Sequence, residues 1–213
     1  MKQLLFIVMF CSALVSCEKK PKIEIYLLNR YIESTDGIPV QNIISYDQAK
    51  KGEAFELYKV HVRDHIRFDT ITGECFSSGT FEAKVKDLQA KPFITDDEIR
   101  SFNLHNSNIY FSKAAKKKLY HLPIKPKIGR CHQFAICIDG KPTIFGYFSR
   151  ISMGRYWPNT YTIRYFDMSK LDAKLKDTLG NDFIFGARNY GLLDSINEKE
   201  LINAFKKSGR LKI

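Results

Sequence analysis

An α+β fold is what these residues predict: a mostly antiparallel sheet, two helices packed on it, and a helical C-terminal extension. Three observations point there. Apolar residues alternate in short runs through the first 166 residues, two helix-opening signals fall between those runs, and the apolar spacing turns helical after 166.

Lys22 to Leu28 reads as the first strand, and Asp36-Gly37-Ile38-Pro39 marks a turn. From Tyr58 the parity is strong. Tyr58, Val60, Val62, Ile66 and Phe68 share one side; Lys59, His61, Arg63, His65, Arg67 and Asp69 share the other, the period of a half-buried strand. Asp64 interrupts the apolar side, so a bulge, or a tight turn at Arg63-Asp64-His65, splits the run into a hairpin. Phe81, Ala83 and Val85 alternate again. Thr95 opens a short helix, with Glu98 completing a capping box and Asp96 and Asp97 at its positive end.

Asn108 to Phe111 is a short strand. Ser112 then caps a helix whose apolar stripe is Ala115, Leu119 and Leu122, with Lys116, Lys117 and Lys118 on the solvated side and Pro123 and Pro126 ending it. His132 to Ile138 and Thr143 to Phe148 form a hairpin about the Asp139-Gly140 turn. Tyr161 to Phe166 is a further strand. Ser169 caps a helix carrying Leu171, Leu175 and Leu179 and closed by Gly180. Ser195 and Glu198 open the last helix, which carries Leu201, Ile202 and Phe205 and ends at Gly209.

The first seventeen residues carry an address. Lys2 is followed by an apolar run from Leu4 to Phe10, too short for a permanent span of about 20 residues and suited to a cleavable leader. Leu14-Val15-Ser16-Cys17 resembles the lipobox of bacterial lipoproteins. That resemblance implies diacylation of the Cys17 sulfur, cleavage before it and acylation of the new amino group. Glu18, in place of Asp, implies sorting to the outer membrane, facing the periplasm. Residues 18–22 read as a solvated tether. The full chain carries a net charge of +11, which draws it toward anionic surfaces. Nucleic acid is excluded as a partner by the expected export.

Three cysteines follow Cys17: Cys75, Cys131 and Cys137. Cys131 and Cys137 lie about 20 Å apart along one strand, at ~3.3 Å per residue, too far for a disulfide. A bridge would therefore join Cys75 to Cys131 or Cys137; unpaired buried thiols are the equal alternative. The spacing matches no zinc site.

The stretch from Pro92 to Phe148 carries Ile94-Thr95-Asp96-Asp97-Glu98-Ile99, then Ile109-Tyr110-Phe111-Ser112-Lys113 with Ala115 and Leu119, then Phe134-Ala135-Ile136-Cys137-Ile138-Asp139-Gly140-Lys141. These residues resemble the head of the first periplasmic domain of SecD, the protein-export membrane protein, and small Bacteroidota-like lipoproteins that carry this module alone. The resemblance covers 92–148 and rests on caps, a core stripe and a turn. It implies a non-catalytic, chain- or protein-binding role. The return strand Thr143 to Phe148 is more aromatic than that of SecD. The domain plan is then a leader at 1–16, lipidated Cys17 and tether to 22, an α+β domain at 23–166, and the helical extension at 167–213.

Two surfaces are candidates for binding. Lys59, His61, Arg63, His65 and Arg67 make a cationic row with neighbours ~6.7 Å apart on a continuous strand, able to grip an anionic polymer or to protect a sheet edge. Arg150, Arg155, Tyr156, Trp157 and Tyr161 surround Gly154 and Pro158, a loop suited to peptide or glycan. His61 and His65 stand ~13 Å apart on a strand and hold no metal. Cys131 and His132 point to opposite faces, and no Gly-x-Ser-x-Gly or phosphate loop is present. The expectation is a lipid-anchored, non-enzymatic envelope protein that binds a protein, peptide or envelope polymer, without a cofactor. An envelope enzyme acting on cell-wall or lipid substrates, or a spacer lipoprotein, is the alternative.

Overall fold

The computed structural model describes residues 19–45, 58–59, 66–71, 73, 75–76, 79–123, 131–150, 160–165, 183–187 and 196–213. It is α+β. The main sheet has eight strands: β1 (Ile23–Leu27), β5 (Ile99–Asn103), β6 (Asn108–Phe111), β7 (His132–Ile138), β8 (Lys141–Arg150), β9 (Tyr161–Tyr165), β10 (Phe183–Ala187) and β11 (Leu211–Lys212). Their spatial order is β1-β7-β8-β9-β10-β6-β5-β11, and a second sheet joins β2 (Ile38–Pro39), β3 (Arg67–Phe68) and β4 (Cys75–Phe76). Only β8–β9 and β5–β11 run parallel in the main sheet; the other ladders are antiparallel.

Alternation on the central strands creates two unlike faces. Ile23, Ile25 and Leu27 of β1 lie opposite Ile138, Ile136 and Phe134 of β7. These pack with Ile144, Phe148 and Ile163 in the main core. Two helices close that core. In α1 (Lys113–Tyr120) Ser112 accepts a hydrogen bond from the Ala115 N–H at 3.2 Å, and Ala115 and Leu119 are fully buried. In α2 (Ile196–Lys207) Leu201, Ala204 and Phe205 are buried, and the Phe205 ring lies 5.4 Å from that of Phe102. Gly209, at φ +73°, ends α2 in the left-handed region that suits glycine. The Asp139-Gly140 turn has φ of 51° and 81°, the pair of positive angles that a two-residue hairpin needs.

Three expectations change. Thr95 opens a single 3-10 turn, Asp96–Glu98, and the chain then extends at once into β5. Capping chemistry begins a turn but does not lengthen it; Ile99, Ser101 and Phe102 are buried as a strand in the sheet. The described residues after 166 are not helical throughout. The apolar run at Phe183–Ala187 forms β10 inside the sheet, between β9 and β6, and β11 adds its far edge. Arg210 locks that end, giving Asp96 Oδ1 an ion pair at 2.7 Å while the same oxygen accepts the Ile23 N–H at 2.7 Å. The helix expected from Ser169 to Gly180 lies outside the described residues. Third, Phe81 and Ala83 are buried as their parity requires, but Val85 begins a 3-10 turn and is exposed.

Lys118 is not merely solvated. Its ammonium lies 2.7 Å from Glu98. Burial alone would push the Glu98 carboxyl up; the Lys118 contact and the Thr95 N–H outweigh it and hold the group below its ordinary value of 4.5. A carboxyl depressed in the fold contributes stability that is complete above its unfolded pKa and is lost as pH falls through its folded one. Urea midpoints measured down a pH series should therefore fall below about pH 4.5. In Lys118→Met about 1–3 kcal/mol should already be gone at neutrality, and the further loss on acidification should be smaller, because the Glu98 carboxyl is no longer held as far below its ordinary value. Superimposable curves would mean that the contact contributes nothing.

Candidate functional site

The face of the sheet away from the helices is covered by two straps, residues 28–35 and 79–88. Two side chains of the central strands hold them. Gln133 and Tyr147 are cross-strand partners on β7 and β8. The Gln133 amide accepts the Ile32 N–H at 2.8 Å and donates to the Ile32 carbonyl at 2.7 Å. The Tyr147 hydroxyl donates to the Gly79 carbonyl at 2.8 Å and lies 3.3 Å from Gln133 Nε2. Tyr147 has no solvent exposure, and burial first of all drives its hydroxyl far above the ordinary range, so it stays a donor. The straps are also tied to each other. The Asp36 carboxylate accepts the Thr80 N–H and the Thr80 hydroxyl, both at 2.6 Å, and the Arg30 guanidinium meets Asp87 at 2.8 Å. A Cβ on Gly79 would collide with Ser34 Oγ, so glycine permits this approach.

The straps end beside a notch in the sheet. β9 joins β8 only from Gly146, opposite Tyr161. A side chain on Gly146 would run into the Tyr161 carbonyl, so the two strands meet closely there and not before. Over this notch lies a groove of about 530 Å³. One wall is Ile32, Glu33 and Thr35 of the first strap; the other is Thr80, Phe81 and Glu82 of the second. Its floor is Thr143 to Phe145 of β8 with Thr160 and Tyr161. The Tyr161 hydroxyl donates to the buried Glu198 of α2 at 2.6 Å, which fixes the ring from the helix side. Glu33 and Glu82 are exposed at the rim, and among the described residues that line the groove there is no lysine, arginine or histidine.

The described members of the expected cationic row do not share one strand: Lys59 is helical with Tyr58, and Arg67 is extended with Phe68 in the small sheet. Arg67 is spent on structure: its guanidinium donates to the Asp36 and Gly37 carbonyls and pins the turn where Gly37 has φ +63°. The hydrogen bonds of that turn override the parity of the sequence. His61, Arg63 and His65 lie outside the described residues, as do Arg155, Tyr156, Trp157 and Cys17. Arg150 ends β8. Tyr161, the member of the aromatic loop cluster whose side chain is described, lines the groove.

No disulfide joins Cys75 to Cys131 or Cys137. Cys75 is exposed in the small sheet, whereas the other two are buried on the strap face of the main one. Burial first, and then the charge of Glu24 opposite, push the Cys137 thiol up to about 12. That thiol is no nucleophile at neutral pH. Among the described residues no group of three or more His, Cys, Asp or Glu side chains is placed to hold a metal ion. No protein-family model matches the chain, and no curated protein or solved structure matches it either.

Removing the Tyr147 hydroxyl tests the clamp. Tyr147→Phe should cost about 1–3 kcal/mol in denaturant unfolding, because the Gly79 carbonyl loses its buried donor. Amide exchange should quicken in residues 79–88 before it does in α1. Equal acceleration in both would show that the hydroxyl does not hold the strap locally.

Proposed function

We propose that this is a lipid-anchored, non-enzymatic protein of the bacterial envelope, held at the outer membrane through acylated Cys17, and that its groove binds a peptide or other envelope polymer. The groove carries the reading. It is open, lies on the strap face, and mixes half-buried aromatic rings with hydroxyls and carboxylates, the composition of a recognition site. Lys19, Lys20, Pro21 and Lys22 fit a short tether between the anchor and β1. Among the described residues no helix is long and apolar enough to cross a membrane, so the attachment assigned here is the leader-derived lipid. The SecD-head-like reading of residues 92–148 belongs to the same proposal. Its support is the order of strand β6, helix α1 and hairpin β7–β8.

Two measurements test these parts separately. An alkyne-bearing palmitate fed to cells should label the wild-type protein and not Cys17→Ser, which should also leave the membrane fraction; labelling of both rejects the anchor. A photo-crosslinking residue at Thr35, on the groove wall, should trap a partner in intact cells. The same residue at Val85, exposed away from the groove, should not. Equal adducts at both positions would remove the groove as the binding face.

A further inference from the structure

The chain enters the fold through a clamp. The Lys22 N–H donates to Asp139 Oδ1 at 3.0 Å, and the Lys22 carbonyl accepts the Asp139 N–H at 2.8 Å. The Lys22 ammonium lies 2.9 Å from Glu24. The next residue is held as well: Asp96 accepts the Ile23 N–H and is itself paired with Arg210. The Asp139-Gly140 turn, the turn at Asp96 and the last turn of chain at Arg210 thus fix the point from which the residues before Lys22 depart.

Those residues form a short leash. Five residue steps separate Cys17 from Lys22, a reach of at most about 18 Å at ~3.6 Å per residue. A domain of this length is about 40 Å across. The clamp can therefore rise less than half a domain width from an anchor at Cys17. The other end of β1 is tied to the straps, where Asn29 donates to the Lys86 carbonyl at 3.0 Å. Asn29 stands about 23 Å along the chain from Lys22, at ~3.3 Å per residue, too far to share the surface that the clamp touches.

The side chains around the clamp suit a headgroup layer. Lys22, Asp139, Gly140 and Lys141 are exposed, as are Lys19 and Lys20 on the tether. Glu24 is buried against Lys22, and Asp139 is used on the Lys22 N–H. The Lys141 ammonium meets Glu200 at 3.8 Å with its side chain still 73% exposed. Lysine ammoniums at such an end are drawn to lipid phosphates. The floor of the groove begins at Thr143, just past the same turn.

We propose that the face formed by Lys22, Asp139, Gly140 and Lys141 rests on the phospholipid headgroups, held there by the short tether, and that the groove is thereby presented beside the bilayer. This rests on the reading of Cys17 as the lipid anchor and adds which face of the domain meets the membrane.

The test uses the acylated full chain, extracted from cells and placed on nanodiscs of phosphatidylethanolamine and phosphatidylglycerol, with and without a gadolinium-chelating lipid. Amides of Lys22, Gly140 and Lys141 should relax roughly five-fold faster with gadolinium than those of Asn29 and Lys86, because the effect falls steeply over the ~23 Å between them. An insert of about 20 Gly and Ser residues between Lys20 and Pro21, a flexible coil, should remove the difference while the protein stays on the discs. Equal relaxation at both ends, or faster relaxation at Asn29 and Lys86, would overturn the assigned face and leave the anchor standing. A difference that survives the long insert would overturn the tether as its cause. Protein that washes off the discs would bring down the anchor and this inference together.

Discussion

A buried polar pair, Gln133 and Tyr147, is what the strap face of this protein depends on. Both side chains carry polar atoms into the centre of β7 and β8. Gln133 is 4% exposed and Tyr147 not at all. Buried amides and hydroxyls are costly unless satisfied, and here satisfaction comes from the backbone of two segments far apart in sequence. Gln133 takes both polar groups of Ile32, and Tyr147 takes the carbonyl of Gly79. Hydrophobic contacts alone would let the straps slide over Phe145 and Cys131. The polar pair fixes where each residue stops, and hence which side chains face the groove.

The two faces of the sheet divide the work. The helix face is filled by isoleucine, leucine and phenylalanine and is sealed by α1 and α2. The strap face has smaller apolar clusters interrupted by Gln133, Thr143 and Glu24. Irregular segments must satisfy their backbone groups one by one, so a face covered by straps needs polar anchors that a helix-covered face does not. Recognition chemistry accumulates beside such anchors because the polar atoms are already there. Asp36 illustrates this: it exists to join the straps, and in doing so it orients the Thr80 oxygen that lines the groove.

Much of the framework was legible in the residues. Lys22 to Leu28 read as the first strand, the Asp139-Gly140 turn fixed the central hairpin, and Ser112 marked the start of α1, all short-range signals. The run at Phe183 to Phe185 was not legible. A fully buried strand and a helix core look alike over so few residues, and helix-opening signals on either side favoured the wrong reading. The groove was invisible for a different reason. Its walls, 32–35 and 80–82, are separated by more than forty residues, and its floor comes from a third region. Nothing local in Glu33 or Thr143 says that they meet. At Arg67 charge alternation reads as a solvated strand face, and nothing in that pattern tells that the guanidinium is hydrogen-bonded to the Asp36 and Gly37 carbonyls.

The strand order also governs when the molecule comes into being. β5 and β6 are synthesised before β7, yet in the sheet they are separated from it by β8, β9 and β10. Until residues 183–187 exist, the described part of the early hairpin shares no ladder with the centre, and isolated bridges from Ile25 to Ile94 and from Leu28 to Leu88 tie β1 to the segment that leads into β5. The last residues then supply the outer edge, with Arg210 reaching back to Asp96 in the turn that starts β5, whose carboxylate also accepts the N–H of Ile23, the first residue of β1. A chain of this topology stays open for nearly its whole synthesis and closes from its far end.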